Sequence, residues 1–298
     1  MDWLLEPFLL GFQQRALLGG LITALMTSIV GVWLVLRGMT FFGDAFVHAV
    51  IPGIAAAVIF DFSPYLGAAV AAAVMVAGIE YIHRSTTLSE DTGIGLLFVG
   101  MMALGVVIIS RSDSYTGSLT TILFGDALGV TPQDLIALAV FAAIVLAGSF
   151  LLYRPLLALS FSPQKSNALG MRPRLAHALL LGLIAIAIIG AFQTVGTMLA
   201  FGLLVGPPAT AALISRTIPQ MFAVSAVISA ISVVTGLVIS YHLGTAASAS
   251  MALVPIVAFF AALAIVNGIR VRRRRVGELP TPSRATTPAS LDPLGPVS

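Results

Sequence analysis

Residues 177–215 read HALLLGLIAIAIIGAFQTVGTMLAFGLLVGPPATAALIS and carry no Asp, Glu, Lys or Arg. A membrane span needs about 20 mostly apolar residues. The stretch therefore holds two candidate spans, 177–196 and 198–215, which nearly run together. Outward from it the same pattern recurs at 16–36, 41–60, 64–82, 92–110, 134–153, 221–241 and 250–268. Gly43, Pro52 and Gly53 interrupt 41–60, so eight spans is the close alternative to nine. The expected fold is all-α: a polytopic helical membrane protein with eight or nine transmembrane helices, some of them broken.

The bulk composition agrees. Of 298 residues 58% are hydrophobic and only 9% are charged, against about 25% charged in an ordinary soluble domain. The mean hydropathy is +1.05. Such a chain cannot cover itself with a water-facing surface and needs the bilayer as its second solvent. The absence of cysteine excludes disulfides, thiolate metal sites and a cysteine nucleophile. Five arginines lie between Arg270 and Arg275. The basic excess is thus largely one juxtamembrane block of the kind found beside anionic lipid at a cytoplasmic helix end, not a nucleic-acid surface.

Charge also orients the chain. Arg154, Lys165, Arg172 and Arg174 crowd one connection, Arg216 follows the seventh candidate span, and the arginine block follows the ninth. Placing all three inside is self-consistent. Arg37 and the His83–Arg84 loop are then also inside. Residues 115–134 and 242–250 are outside, and with nine spans so is the N-terminus. Arg15 and Arg111 are the minority against this orientation. Residues 1–15 lack the positive start of a cleaved signal and read as an interfacial lead-in, with Trp3, Phe8 and Phe12 at the boundary. Residues 16–268 form the membrane domain, and 269–298 a basic and then disordered cytoplasmic tail rich in Pro, Ser and Thr.

Polar groups inside apolar spans are costly and point to function. Asp44 and His48 are four apart, so they share a helix face. A carboxylate and an imidazole there could share one divalent ion. Pro52 cannot donate to the carbonyl of His48, which weakens the helix at that turn and frees an oxygen beside the pair. The alternative is an Asp–His hydrogen bond that fixes helix packing. A second group is Gln193, Thr194 and Thr197, followed by Pro207 and Pro208. Helices broken in this way often line a translocation route, while small residues nearby also suit close helix packing. The third is the segment 160–170, with Ser160, Phe161, Lys165, Ala168 and Gly170, whose mixed polarity suits a short helix across the membrane face or a solvated loop. Glu90 and Asp91 open a span where carboxylates favour the helix N-terminus. His83, His177 and Tyr241–His242 suit the interfaces, and Glu80 lies one turn from a cytoplasmic end.

The only lysine, Lys165, follows Gln164, so no Walker A loop exists. Any ATP-driven function needs a separate ATPase subunit.

At these residues the chain resembles the permeases of ATP-binding-cassette importers for zinc, manganese and iron. The resemblance runs from about residue 12 to 268. It rests on Gly43-Asp44-Ala45, His48-Ala49-Val50-Ile51-Pro52-Gly53, Glu90-Asp91-Thr92-Gly93-Ile94-Gly95, Leu123-Phe124-Gly125, Thr194-Val195-Gly196-Thr197-Met198-Leu199 and Pro207-Pro208-Ala209-Thr210-Ala211. It implies a non-enzymatic transport subunit of the bacterial plasma membrane, with no permanent cofactor and a divalent transition metal as substrate. Two copies would flank one path, an ATPase would dock on the coupling segment 160–170, and an extracytoplasmic metal-binding protein would deliver the ion. Asp44 and His48 match the family's polar pair along the path. After the eighth candidate span the family usually carries an acidic residue and a Pro-Ser-Gly turn; here the run is Tyr241-His242-Leu243-Gly244-Thr245-Ala246-Ala247-Ser248. The competing function is an ATP-independent secondary transporter or channel using the same pair. A membrane metalloenzyme would want a ligand set such as H-E-x-x-H, which is absent.

Overall fold

The structure, a computed structural model, describes residues 6–86, 89–110, 128–161 and 173–277. A short 3-10 turn, Glu6–Leu9, leads into α1 (Gly11–Leu36). The side chain of Gln14 donates to the carbonyl of Phe8 at 2.8 Å and ties the turn down. Then follow α2 (Thr40–Ala49), α3 (Ile51–Ile59), α4 (Pro64–Ser85), α5 (Glu90–Ile109), α6 (Pro132–Leu151), α7 (Tyr153–Phe161), α8 (Pro173–Ile214), α9 (Ile218–Leu243) and α10 (Ala247–Gly277). Every described element is helical, as the spans predict. In hydrocarbon a helix is the one open segment that satisfies its own backbone.

Helix starts follow local chemistry. At α6 the Thr131 hydroxyl accepts from the Asp134 N–H while the Asp134 carboxylate accepts from the Thr131 N–H, with Pro132 in the first turn. At α5 the Ser89 hydroxyl accepts from the Thr92 N–H, and the helix opens at Glu90 and Asp91, where the sequence places them at its N-terminus. The boundary between α6 and α7 differs from expectation. The fifth span stops at Leu151, and a new helix starts at Tyr153, because Pro155 is tolerated only in a first helical turn. Its Leu156 and Leu159 are buried against the bundle.

α1 is the central post. Its span is 67% buried, against 17% for α10, which lies at the periphery of the bundle. Close approaches fix the neighbours. A Cβ on Gly20 would meet Val233 and Met251, one on Gly236 would meet the Met251 backbone, and Gly53 and Gly67 pack backbone to backbone. Small residues are what let membrane helices pack so closely.

α8 cannot be one straight rod. Its 42 residues would reach about 63 Å, twice the hydrocarbon thickness of about 30 Å. It bends at Gly196, whose φ of 76° and ψ of 170° lie outside the helical region. Contacts show which way the chain goes. Near its start, His177 meets Arg37 at the C-terminal end of α1. Farther along, Leu183 packs at Gly148 and Gly190 at Phe141, so the first arm runs antiparallel to α6. Near its end, Ala211 packs with Val32, again at the C-terminal end of α1. Both ends of α8 therefore lie on one side, and the chain reverses at Gly196. Eight described helices are long and apolar enough to span, and the second arm adds a shorter one, Leu199–Ile214. Arg37, Arg84, Arg154 and Arg216 share one side, with Arg15 on the other, the distribution that the positive-inside rule expects if the first side is cytoplasmic.

Candidate translocation path

The second passage is split. Pro52 has no N–H for the carbonyl of His48, so α2 ends at Ala49 and α3 begins past Val50 with Pro52 in its first turn. The carbonyl of His48 accepts from the Val50 N–H instead. The oxygen expected to be free beside the pair is thus occupied. Pro52 itself is buried against Gly105 of α5.

α2 presents two faces. Phe42, Phe46 and Val47 are fully buried. Phe41, Asp44 and His48 lie on the other face; the side chains of His48 and Asp44 keep 22% and 33% of their exposure. Asp44 Oδ1 stands 3.7 Å from His48 Nε2. That is beyond a hydrogen bond. The separation is one that two metal–ligand bonds of about 2.1 Å could bridge. The His48 ring leans on Phe98, with centroids 5.9 Å apart, and its Nδ1 is buried with no partner. No group of three or more His, Asp or Glu side chains that could hold a metal occurs among the described residues. The described residues bring two polar side chains, Asp44 and His48, to this place.

The second arm of α8, which carries the prolines of the second group, reaches α2 at Gly43. Leu204 packs on Gly43, one residue from Asp44, from the buried side of α2. Pro207 and Pro208 are buried. Pro208 leaves the carbonyl of Leu204 without its helical partner, and that oxygen lies against Gly31, where any Cβ would clash. The Thr210 hydroxyl donates to the carbonyl of Gly206 at 2.8 Å. Gln193, Thr194 and Thr197 flank the reversal at Gly196 by backbone position. In the third group Ser160 lies in the last turn of α7, its hydroxyl donating to the carbonyl of Leu156 at 2.9 Å, and Phe161 is the last helical residue. Lys165, Ala168 and Gly170 lie outside the described residues, as does Leu123-Phe124-Gly125.

Sequence reasoning missed a buried hydroxyl seam between α1 and α9. Thr23, Thr27, Ser28, Ser225, Ser229 and Ser232 are all buried. Ser28 Oγ and Ser229 Oγ are 2.6 Å apart. The spacing of four between Thr23 and Thr27, and between Ser225 and Ser229, was the available signal. Sequence reasoning also missed the contact of Arg37 with His177, 2.7 Å between Nη1 and Nδ1. It lies between residues too far apart in the chain for any local pattern.

A many-pass helical bundle with a split helix and an ionisable pair opening from it defines a membrane transport protein. The particular lineage is shown by comparison: the ABC 3 transport family matches residues 10–266, and the chain belongs to that family. It is 33% identical over 252 residues to the manganese transport system membrane protein MntC of Listeria innocua, covering 85% of this chain and 90% of that one. It is 31% identical over 289 residues to the chelated iron transport system membrane protein YfeD of Yersinia pestis, covering 97% and 96%. The solved structure of PsaBC from Streptococcus pneumoniae in complex with Fab superposes with a TM-score of 0.77 at 32% identity, over 85% of this chain and 91% of that one.

Proposed function

We propose that this chain is the permease subunit of an ATP-binding-cassette importer that carries a divalent transition metal into a bacterial cytoplasm. The observation that carries the metal is the Asp44–His48 pair: two donors one turn apart, 3.7 Å between Oδ1 and Nε2, open on one side of a buried helix. Two donors are too few for an ion that prefers four to six ligands. A second copy presenting the same face of α2 across a two-fold axis supplies two more, and water completes the shell. The carboxylate lowers the cost of moving a dication through hydrocarbon, and the imidazole selects transition metals over Ca²⁺ and Mg²⁺. The site must bind weakly enough to release. Relatives of about equal identity carry names for manganese and for iron, and carboxylate with imidazole suits both, as it suits zinc.

ATP hydrolysis belongs to a separate subunit, since no Walker A loop is present. The segment 160–170 is its proposed docking point, and an extracytoplasmic binding protein delivers the ion. Purified chain alone should hydrolyse no ATP, and scrambling 160–170 should abolish co-purification with the ATPase. The decisive measurement is uptake of Mn²⁺, Fe²⁺ and Zn²⁺ by cells carrying Asp44→Ala, His48→Ala or His48→Gln. Uptake should fall by more than about tenfold in each, since even a residue behind a metal ligand is worth about 10–100-fold. Assembly with the ATPase should survive. Wild-type transport of every metal by His48→Gln, which keeps a hydrogen-bonding side chain without good ligand character, would refute the metal role.

A further inference from the structure

Where α6 gives way to α7, a groove of about 610 Å³ opens at the cytoplasmic boundary of the bundle. Phe150, Leu151, Tyr153, Arg154, Pro219 and Phe222 line it. Phe150 is 83% exposed and Leu151 78%, at the end of a membrane span, where an acyl chain can cover them. The floor is held in place. Trp33 stacks edge-on against Tyr153 at 5.6 Å and Phe222 at 5.4 Å, and its Nε1 donates to Ser149 Oγ at 2.8 Å. Arg154 is the one cation on the lining, and no carboxylate pairs with it among the described residues.

We infer that this groove binds one anionic phospholipid of the cytoplasmic leaflet. An acyl chain lies along Phe150, Leu151 and Phe222, and the headgroup phosphate meets the Arg154 guanidinium. The planar fork of arginine matches a phosphate, and a basic site between helices on the cytoplasmic side suits such a headgroup. The lining explains the choice of lipid over a protein partner. It is apolar apart from Arg154 and the Tyr153 hydroxyl, and it continues the lipid-facing end of α6. A net negative headgroup, unlike a zwitterionic one, neutralises Arg154, which no carboxylate among the described residues does.

The test is native mass spectrometry of the detergent-solubilised full chain titrated with phosphatidylglycerol or phosphatidylcholine. The wild type should retain phosphatidylglycerol about fivefold better, the factor that one arginine near the surface provides. Arg154→Gln should erase that preference, and Arg154→Lys should keep most of it, which separates charge from a folding defect. Arg84→Gln, remote and paired with Glu80, should leave it unchanged. The inference fails if Arg154→Gln retains the lipid like the wild type, if Arg154→Lys loses it as fully as Arg154→Gln, or if Arg84→Gln lowers it equally. Loss of the ATPase from Arg154→Gln with lipid retention unchanged would make the groove a protein dock instead.

Discussion

Single residues decide where this chain bends. At Gly196 the backbone takes φ 76° and ψ 170°, a region essentially closed to residues with a Cβ. Gly196→Ala should therefore destabilise the fold by about 1–3 kcal/mol, read as a lower unfolding midpoint and a smaller folded yield in detergent. Equal stability of Gly196→Ala would mean that the reversal is made elsewhere. At His48 the residue type was legible in the sequence, because an imidazole and a carboxylate four apart inside an apolar run can be read without a structure. The state of the neighbouring carbonyl was not. Pro52 showed that one bond must be missing, and only the fold showed that the Val50 N–H takes its place.

Elements meet through what single residues leave out. The second arm of α8 carries Pro208, which strips the carbonyl of Leu204 of its donor; α1 carries Gly31, which lets its backbone close on that oxygen. A Cβ at position 31 would stand 1.9 Å from the oxygen, and neither helix can yield without moving the other. Gly31→Ala is expected to cost at least about 3 kcal/mol, the upper end of ordinary overpacking penalties, and to reduce membrane-inserted, protease-resistant protein several-fold. Gly182→Ala, with nothing within 4 Å, is the matched control and should behave as wild type. If both variants accumulate alike, the contact between α1 and α8 is not tight. Within elements, legibility followed locality. The break at Pro52 and the start of α5 at Glu90 rest on neighbours in sequence, so pattern reading reaches them. The fifth span is expected to run to residue 153, because Leu151 to Tyr153 is apolar enough to pass for its end, but it stops at Leu151.

At the scale of the whole molecule the reversal of α8 sets the topology. Between Ser85 and Ala246 the described chain makes five passages: α5, α6, the two arms of α8, and α9. An odd number puts those residues on opposite sides. A straight α8 would make four and put them together. The cysteine-free sequence permits a direct check. A cysteine at Ala246, which is exposed, should label from outside intact cells with an impermeant maleimide, and one at Ser85 only after permeabilisation. Labelling of both from the same side would overturn the reversal. The sequence by itself determined that this is a many-pass helical membrane protein with an ionisable pair on one passage. Those properties follow from transfer energies and from helical periodicity, which act residue by residue. Tertiary structure alone decided that α8 turns back, that Pro208 packs against Gly31 of α1, and that the hydroxyls of α1 and α9 meet. Each of these depends on contacts between segments far apart in the chain, and the energy of such a contact depends on the partner it meets.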